Sequence, residues 1–105
     1  MATDQDDGVW EALGDKTRRA IVLRLTEGPK PVGELATYLP VTRSAVSQHL
    51  KVLKDAGLVA DQPAGNRRIY QLDPAGVGAL RAYLEQFWSR SLRAYKSSVE
   101  KGAEQ

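Results

Sequence analysis

From Pro74 to about residue 101 the chain has no further proline, and an apolar side chain recurs roughly every 3.5 positions, at Val77, Leu80, Leu84, Phe87, Leu92, Tyr95 and Val99. Asp73 supplies an N-cap and Pro74 the first helical position, a common way to open a helix. A helix of about 28 residues spans roughly 42 Å at 1.5 Å per residue. A 100-residue globule has a radius of gyration of only about 13 Å. The 105 residues make about one domain, so part of the stripe must find a second molecule. Trp88, beside Phe87, widens the apolar face, and large exposed apolar patches usually mark an interface. The expectation is a homodimer through this helix, with Leu80, Leu84, Phe87, Trp88, Leu92 and Tyr95 in the contact.

Gly28-Pro29, Pro31, Pro40 and Pro63-Ala64-Gly65-Asn66 cut the rest into short elements. Residues 7 to 13 read as a first helix with Val9, Trp10 and Leu13 on one side, and Val9 and Trp10 are expected to join the dimer interface. Asp15 caps a second helix over 16 to 27, in which Thr17, Ile21 and Leu25 recur every fourth residue. A third runs from about Pro31 to Leu39, with Pro31 in its first turn and Val32, Leu35, Ala36 and Leu39 facing inward. After the turn at Pro40-Val41, Thr42 caps a fourth helix over 43 to 56, Val41 packs back on Val46 as a hydrophobic staple, and Gly57 ends it. Two helices joined by a tight turn make a helix-turn-helix. The β-prone segments 58–62 and 67–72 flank a four-residue loop and predict a hairpin, in this place a wing. The chain is therefore expected to be mainly α with a small β-hairpin wing. It reads as one winged helix-turn-helix domain over 1–105, with the helix-turn-helix at about 31–56, the wing at about 58–72 and a dimerisation helix at about 74–101.

Charge is unevenly spread under a formal net of +2. Residues 1 to 15 hold Asp4, Asp6, Asp7, Glu11 and Asp15 and no base. Residues 16 to 68 set Lys16, Arg18, Arg19, Arg24, Lys30, Arg43, Lys51, Lys54, Arg67 and Arg68 against Glu27, Glu34, Asp55 and Asp61. A clustered positive surface is the electrostatic footprint of a nucleic-acid binder, and also of a solvated basic face. The apolar share of 42% suits a folded soluble chain, and no apolar run exceeds the four residues from Ala20 to Leu23. The opening MATDQDDGVW is acidic where a signal peptide is basic, so the expected location is the cytoplasm, at the nucleoid. With no cysteine and a single histidine, disulfides, thiolate metal sites and cysteine nucleophiles are excluded and no cofactor is expected.

On a wheel of the fourth helix Val46, Leu50 and Leu53 converge on one side, and Ser44, Ser47, Gln48 and Lys51 take the other. The polar side suits base edges: Gln bonds adenine bidentately, Ser reaches several bases or a phosphate, and Lys reaches guanine or phosphate. Arg43 is placed for the sugar-phosphate backbone. His49 lies beside the apolar stripe and is expected to be partly buried or to meet a phosphate, with no second His or Cys to complete a metal site. Arg67 and Arg68 follow the Gly-Asn tip of the wing and suit a minor groove or a phosphate.

The segments ALGDKTRRAIVLRL, VGELATYL, TRSAVSQHLKVLKDAGLV and GNRRIYQL resemble the ArsR-type (ArsR/SmtB) winged-helix repressors from Leu13 to Leu72. The most specific stretches are Asp15 to Arg19, Glu34-Leu35-Ala36, and Ser44 to Leu58 with Ser47 and His49-Leu50 in register. The resemblance implies a bacterial homodimer that represses transcription from an operator, with the first and last helices at the dimer interface. Many such repressors sense metals through cysteines near the third helix or through Asp and His on the last. Here residues 32 to 39 hold no Cys and the last helix no His, with only Glu85 and Glu100 as well-placed acids. The chain thus resembles the metal-independent branch that includes SdpR-type autorepressors, as do Phe87-Trp88-Ser89 and Leu92 to Lys96. The expected partners are double-stranded DNA and a second copy; an inducer, if there is one, is unspecified. The alternative is a winged-helix module whose basic face binds an acidic protein. No nucleophile, base and acid can be assembled, so an enzyme is not expected.

Overall fold

The computed structural model describes residues 8–103. The chain runs through helix α1 (8–12), α2 (Lys16–Leu25), strand β1 (Lys30–Pro31), α3 (Val32–Thr37), α4 (Arg43–Asp55), β2 (Val59–Ala64), β3 (Arg67–Leu72) and α5 (Pro74–Ala103). The expected start of the first helix at residue 7, with Asp4, Asp6 and Asp7, lies outside the described residues.

Helices α2, α4 and α5 begin where a side chain can satisfy a first-turn amide, whereas α3 follows Pro31 with no side-chain cap. Asp15 accepts from the Arg18 amide at 2.9 Å, Thr42 Oγ1 from that of Ala45 at 3.0 Å, and Asp73 from that of Ala75 at 3.0 Å. The staple residues behave as their spacing predicts, with Val46 buried and Val41 packed on the core. The end of α4 is a Schellman motif: the Leu58 amide donates to the Leu53 carbonyl and the Gly57 amide to that of Lys54, both at 3.0 Å. Gly57 takes φ 83°, and Leu58 folds back into the core beside Leu53.

The core is one cluster. Ile21 and Leu25 of α2, Leu35 of α3, Val46, Leu50 and Leu53 of α4, and Leu58 and Val59 at the root of the wing are all buried, together with Val9 and Ala12 of α1. Each large aliphatic among them contributes about 1.5–3 kcal/mol relative to exposure. The periodicities that predicted α2 and α4 are the ones that fill this core.

Four local expectations change. Helix α2 stops at Leu25 rather than 27, and α3 spans Val32–Thr37 rather than 31–39. Pro31 does not sit in the first turn of α3; it ends β1 at φ −77°, ψ 160°, paired with Ile69, while Lys30 pairs with Tyr70. The hairpin is thus part of a three-stranded antiparallel sheet in the order β1-β3-β2. A proline suits the outer edge of such a sheet, where its missing N–H breaks no ladder. The wing loop has two residues instead of four, because Pro63 and Ala64 pair with Arg68 and Arg67. Gly65 takes φ 64° and Asn66 a negative φ, the type II′ pattern that matches strand twist.

Only the first turns of α5 belong to the core. Gly76 is buried against the backbone of Gly57, Leu80 packs on the cluster, and Tyr83 meets Trp10 edge to face at 5.3 Å and 72°. Beyond Leu84 the helix stands clear, and the molecule measures 67 × 31 × 21 Å. A Cβ on Gly76 would run into the Gly57 carbonyl, whereas one on Gly78 meets nothing within 4 Å. Gly76→Ala should therefore destabilise the protein by about 1–3 kcal/mol or more. Gly78→Ala should be neutral or stabilising by up to about 1 kcal/mol. Thermal denaturation of the two variants side by side checks both, and equal midpoints would contradict the close contact.

Candidate nucleic-acid interface

Burial of Val46, Leu50 and Leu53 turns Ser44, Ser47, Gln48 and Lys51 to solvent, and all four are exposed. Arg43, in the first turn of α4, lays its guanidinium over Gly33 of α3, 3.7 Å from where a Cβ would stand. Arg67 is exposed at the root of the wing turn. Between wing and helices runs a cleft of about 510 Å³ whose walls include Arg43, Ser47, Asn66, Arg67, Arg68 and Tyr70. Elements far apart in sequence thus bring three arginines and a hydroxyl to one concave surface.

Two expected DNA contacts have partners within the chain: His49, which is partly buried outside the cleft, and Arg68, which lines it. His49 exposes 23% of its side chain, and its Nδ1 lies 3.3 Å from Arg18 Nη1 and 4.0 Å from Asp15 Oδ2. Its ring therefore meets the start of α2. Arg68 donates from Nε to Asp61 Oδ2 at 2.7 Å, and Lys54 of α4 binds the other oxygen at 2.8 Å. Asp61 exposes only 8% of its side chain and so clamps the wing to the recognition helix. The Lys54 and Arg68 hydrogen bonds hold its carboxyl below the usual carboxylate range, and Asp61 in turn raises Arg68.

Sequence reading missed this clamp and the work of two further arginines. Asp61 pairs with Tyr70 in the ladder, which sets Arg68 on the diagonal of the same face; the register needed for that inference depends on the loop length. Arg18 Nε donates to the Ala12 carbonyl at 2.6 Å and Arg19 Nη1 to that of Leu13 at 2.7 Å, closing the end of α1. These cations, counted with the basic middle of the chain, serve the fold. Arg24 stacks on Tyr38 at 4.3 Å, and Lys30 lies 3.7 Å from Glu27 and 3.8 Å from Glu34. Among the described residues Arg43, Lys51 and Arg67 carry no ion pair and keep their charge for a ligand.

On the far side of the molecule, Val9 is only 3% exposed and lies in the chain's own core, while Trp10 reaches the surface. Leu84, Phe87, Trp88, Leu92 and Tyr95 are all exposed, and Val77 to Trp88 line an apolar hollow of about 600 Å³. The face of α5 centred on Trp88 carries Val77, Arg81, Leu84, Trp88, Leu92, Tyr95 and Val99, with the exposed Phe87 at its flank. Its steps of 4, 3, 4, 4, 3 and 4 residues repeat every 11 residues. The order reads nearly the same from either end about Trp88.

A capped recognition helix preceded by a short helix and followed by an antiparallel wing, with exposed polar and basic side chains on one side, defines a winged helix-turn-helix DNA-binding domain. The family model "Bacterial regulatory protein, arsR family" matches residues 15–61. The HTH-type transcriptional regulator Rv2034 of Mycobacterium tuberculosis is 62% identical over 94 residues, covering 90% of this chain and 88% of the relative. The transcriptional repressor SdpR of Bacillus subtilis is 31% identical over 67 residues, 64% of this chain and 74% of that protein. Among solved structures, the homodimeric winged helix-turn-helix DNA-binding domain Mb0332 of Mycobacterium bovis superposes with a TM-score of 0.69 at 29% identity, covering 83% of this chain and 81% of that one. The chain belongs to the ArsR family of bacterial regulatory proteins and is a transcriptional regulator, not an enzyme.

Among the described residues no group of three or more His, Cys, Asp or Glu is placed to hold an ion, and the chain has no Cys. No helix among the described residues is long and apolar enough to cross a membrane.

The clamp has a defined pH response. Its carboxyl titrates lower in the folded than in the unfolded chain, so its stabilisation is present above the ordinary carboxylate value of about 3.9 and is lost as pH falls through the lower folded value. Wing amides of the native protein should stay protected against hydrogen exchange down to about pH 4. Asp61→Asn should speed their exchange at neutral pH without exposing the core helices. Equal wing protection in both proteins would rule out the clamp.

Proposed function

We propose that the chain is a sequence-specific homodimeric repressor that occupies a palindromic operator and is released by a signal other than a metal. The observation that carries the DNA part is the convergence of Arg43, Ser47 and Arg67 on one cleft beside the exposed face of Ser44, Gln48 and Lys51. Gln48 and Ser44 read base edges in the major groove, Lys51 reaches guanine or phosphate, and Arg43 and Arg67 neutralise phosphates on either side. Arg68 takes part through its hold on the wing. A DNA partner places the protein in the cytoplasm, at the nucleoid.

The palindromic stripe of α5 supports the dimer. An isologous contact repeats each pairing about a twofold axis, and a stripe that reads the same from both ends satisfies that axis when the helices run antiparallel. Centred on Trp88, the pairing sets Leu84 against the partner's Leu92, Val77 against the partner's Val99, and Arg81 over the ring of the partner's Tyr95, a cation–π contact. Trp10 extends the interface at its edge. Mb0332 is homodimeric with the same fold, and two recognition helices then enter major grooves about one turn, roughly 10 bp, or a multiple of it apart.

Neutralising about 6–10 phosphates per dimer should cost roughly 10³ to 10⁵ in affinity between 50 and 200 mM salt. A flat salt response, or competition by an acidic protein and not by duplex DNA, would leave the protein-interaction reading standing. Gln48→Ala should lower discrimination at one base position by about 1–3 kcal/mol, while Arg67→Ala should weaken binding to every sequence alike. Trp88 is 64% exposed in the single chain, so Trp88→Glu should leave the fold intact. It should yield a monomer by sedimentation and weaken operator binding; a variant that still sediments as a dimer would exclude the Trp88-centred pairing.

A further inference from the structure

The helices that this function gives different tasks, α1 at the dimer edge and α4 in the DNA, meet through one side chain. Arg18 of α2 turns back on α1, donating from Nε to the Ala12 carbonyl at 2.6 Å and from Nη2 to that of Glu11 at 3.3 Å. Its Nη1 points the other way and donates to His49 Nδ1 of α4 at 3.3 Å. Asp15, whose carboxylate caps α2, lies 4.0 Å from the same imidazole nitrogen. Val9 and Ala12 anchor α1 in the core and Trp10 packs on Tyr83 of α5, so the Arg18 contact runs from the recognition helix toward the long helix.

A neutral imidazole accepts at Nδ1 only when its proton is on Nε2, and an imidazolium does not accept at all. Protonation would replace the hydrogen bond with two facing cations. Two charged groups meet the ring nitrogen, Arg18 in the first turn of α2 and Asp15 at its N-cap. Asp15 would then attract the imidazolium while Arg18 is repelled, pulling the ring toward the cap and away from the end of α1.

We propose that Arg18 and His49 form a proton-sensitive latch between α1 and the recognition helix, closed while His49 is neutral. The latch rests on the DNA-binding reading and gives it a regulatory input that requires no metal. Its sign is distinctive. A histidine on a phosphate strengthens DNA binding as acid charges it, whereas this latch weakens binding as pH falls.

The probe is a duplex of roughly 30 bp, about three turns, enriched by the native protein from a random pool, with affinity read by fluorescence anisotropy at constant salt from about pH 8 to about pH 5, the window in which histidine changes charge. Native affinity should fall toward acid by roughly 5- to 150-fold, the range of a typical coupling between two sites. His49→Asn keeps an acceptor near the Nδ1 position without titrating; it should bind as the native protein does at about pH 8 and show no acid loss. Arg18→Lys, which cannot bridge both helices, should bind more weakly at every pH and with a flat profile. Nitrogen-15 spectra of the DNA-free protein should show His49 as the Nε2–H tautomer at about pH 8. Binding that strengthens in acid, an acid loss retained by His49→Asn, or an Nδ1–H tautomer would each overturn the latch. Failure to enrich any duplex at neutral pH would remove the DNA reading itself, and the tautomer would still decide whether the Arg18–His49 bond exists.

Discussion

Burial of Val46, Leu50 and Leu53 sets the rotation of α4, and the rest of the molecule is arranged around that rotation. A helix has one angular degree of freedom about its axis. Once the aliphatic side faces Ile21, Leu25 and Leu35, Ser44, Ser47, Gln48 and Lys51 must face water. The same 13-residue element supplies part of the core and an exposed polar face. Its C-terminal Schellman motif then directs Leu58 inward and launches the wing, and the first turn of α5 returns to rest on Gly57. A change in the rotation of α4 would move the wing root and the base of the long helix together.

Electrostatics in this chain is a matter of placement more than of total charge. The basic middle looks like one footprint in sequence, yet it divides by partner. Arg18 and Arg19 satisfy carbonyls at the end of α1, Arg24 stacks on Tyr38, Lys30 lies between two glutamates, and Lys54 and Arg68 hold Asp61. Such contacts give individually small stabilisation where the groups are exposed. Their effect is geometric: they close α1 and fix the wing relative to α4. Of the cations without an ion pair among the described residues of this stretch, Arg43 and Arg67 line the cleft and Lys51 lies on the exposed face of α4, while Lys16 stands apart on α2. Arg67 and Arg68 show how sharp the division is, since neighbours on one strand point to opposite faces and only Arg68 shares the face of Asp61.

Helix α5 carries two faces roughly 120° apart. Gly76, Leu80 and Tyr83 meet the chain's own body near its start. The stripe from Val77 to Val99 lies on the other side and continues after the body has ended, through Tyr95 at 70% exposure. An 11-residue repeat, at about 3.67 residues per turn, favours a slight right-handed supercoil instead of the left-handed supercoil of a heptad. The 3.5-residue period picked out in the sequence mixed Leu80, which faces the body, with Leu84, Leu92, Tyr95 and Val99, which face away from it.

The helices, their caps and the reading face were legible in the sequence because they depend on local rules: a side chain reaches an amide two or three residues on, and apolar residues three or four apart share a helix face. Thus Asp15, Thr42, Asp73, the Gly57 stop and the outward set from Ser44 to Lys51 could be read from spacing alone. Three features waited for the tertiary structure. Strand β1 is two residues long and exists only through its pairing with β3, so no periodicity could reveal it. The Asp61 clamp depends on a hairpin register that a two-residue change in loop length would alter. His49 and Arg18 are 31 positions apart and meet only because α2 and α4 pack together. The sequence alone therefore determined which residues form helices and which sides they bury, because those choices are settled within a few residues. Tertiary structure decided which charges stay unpaired and which bind the fold together, because that depends on neighbours contributed by distant parts of the chain.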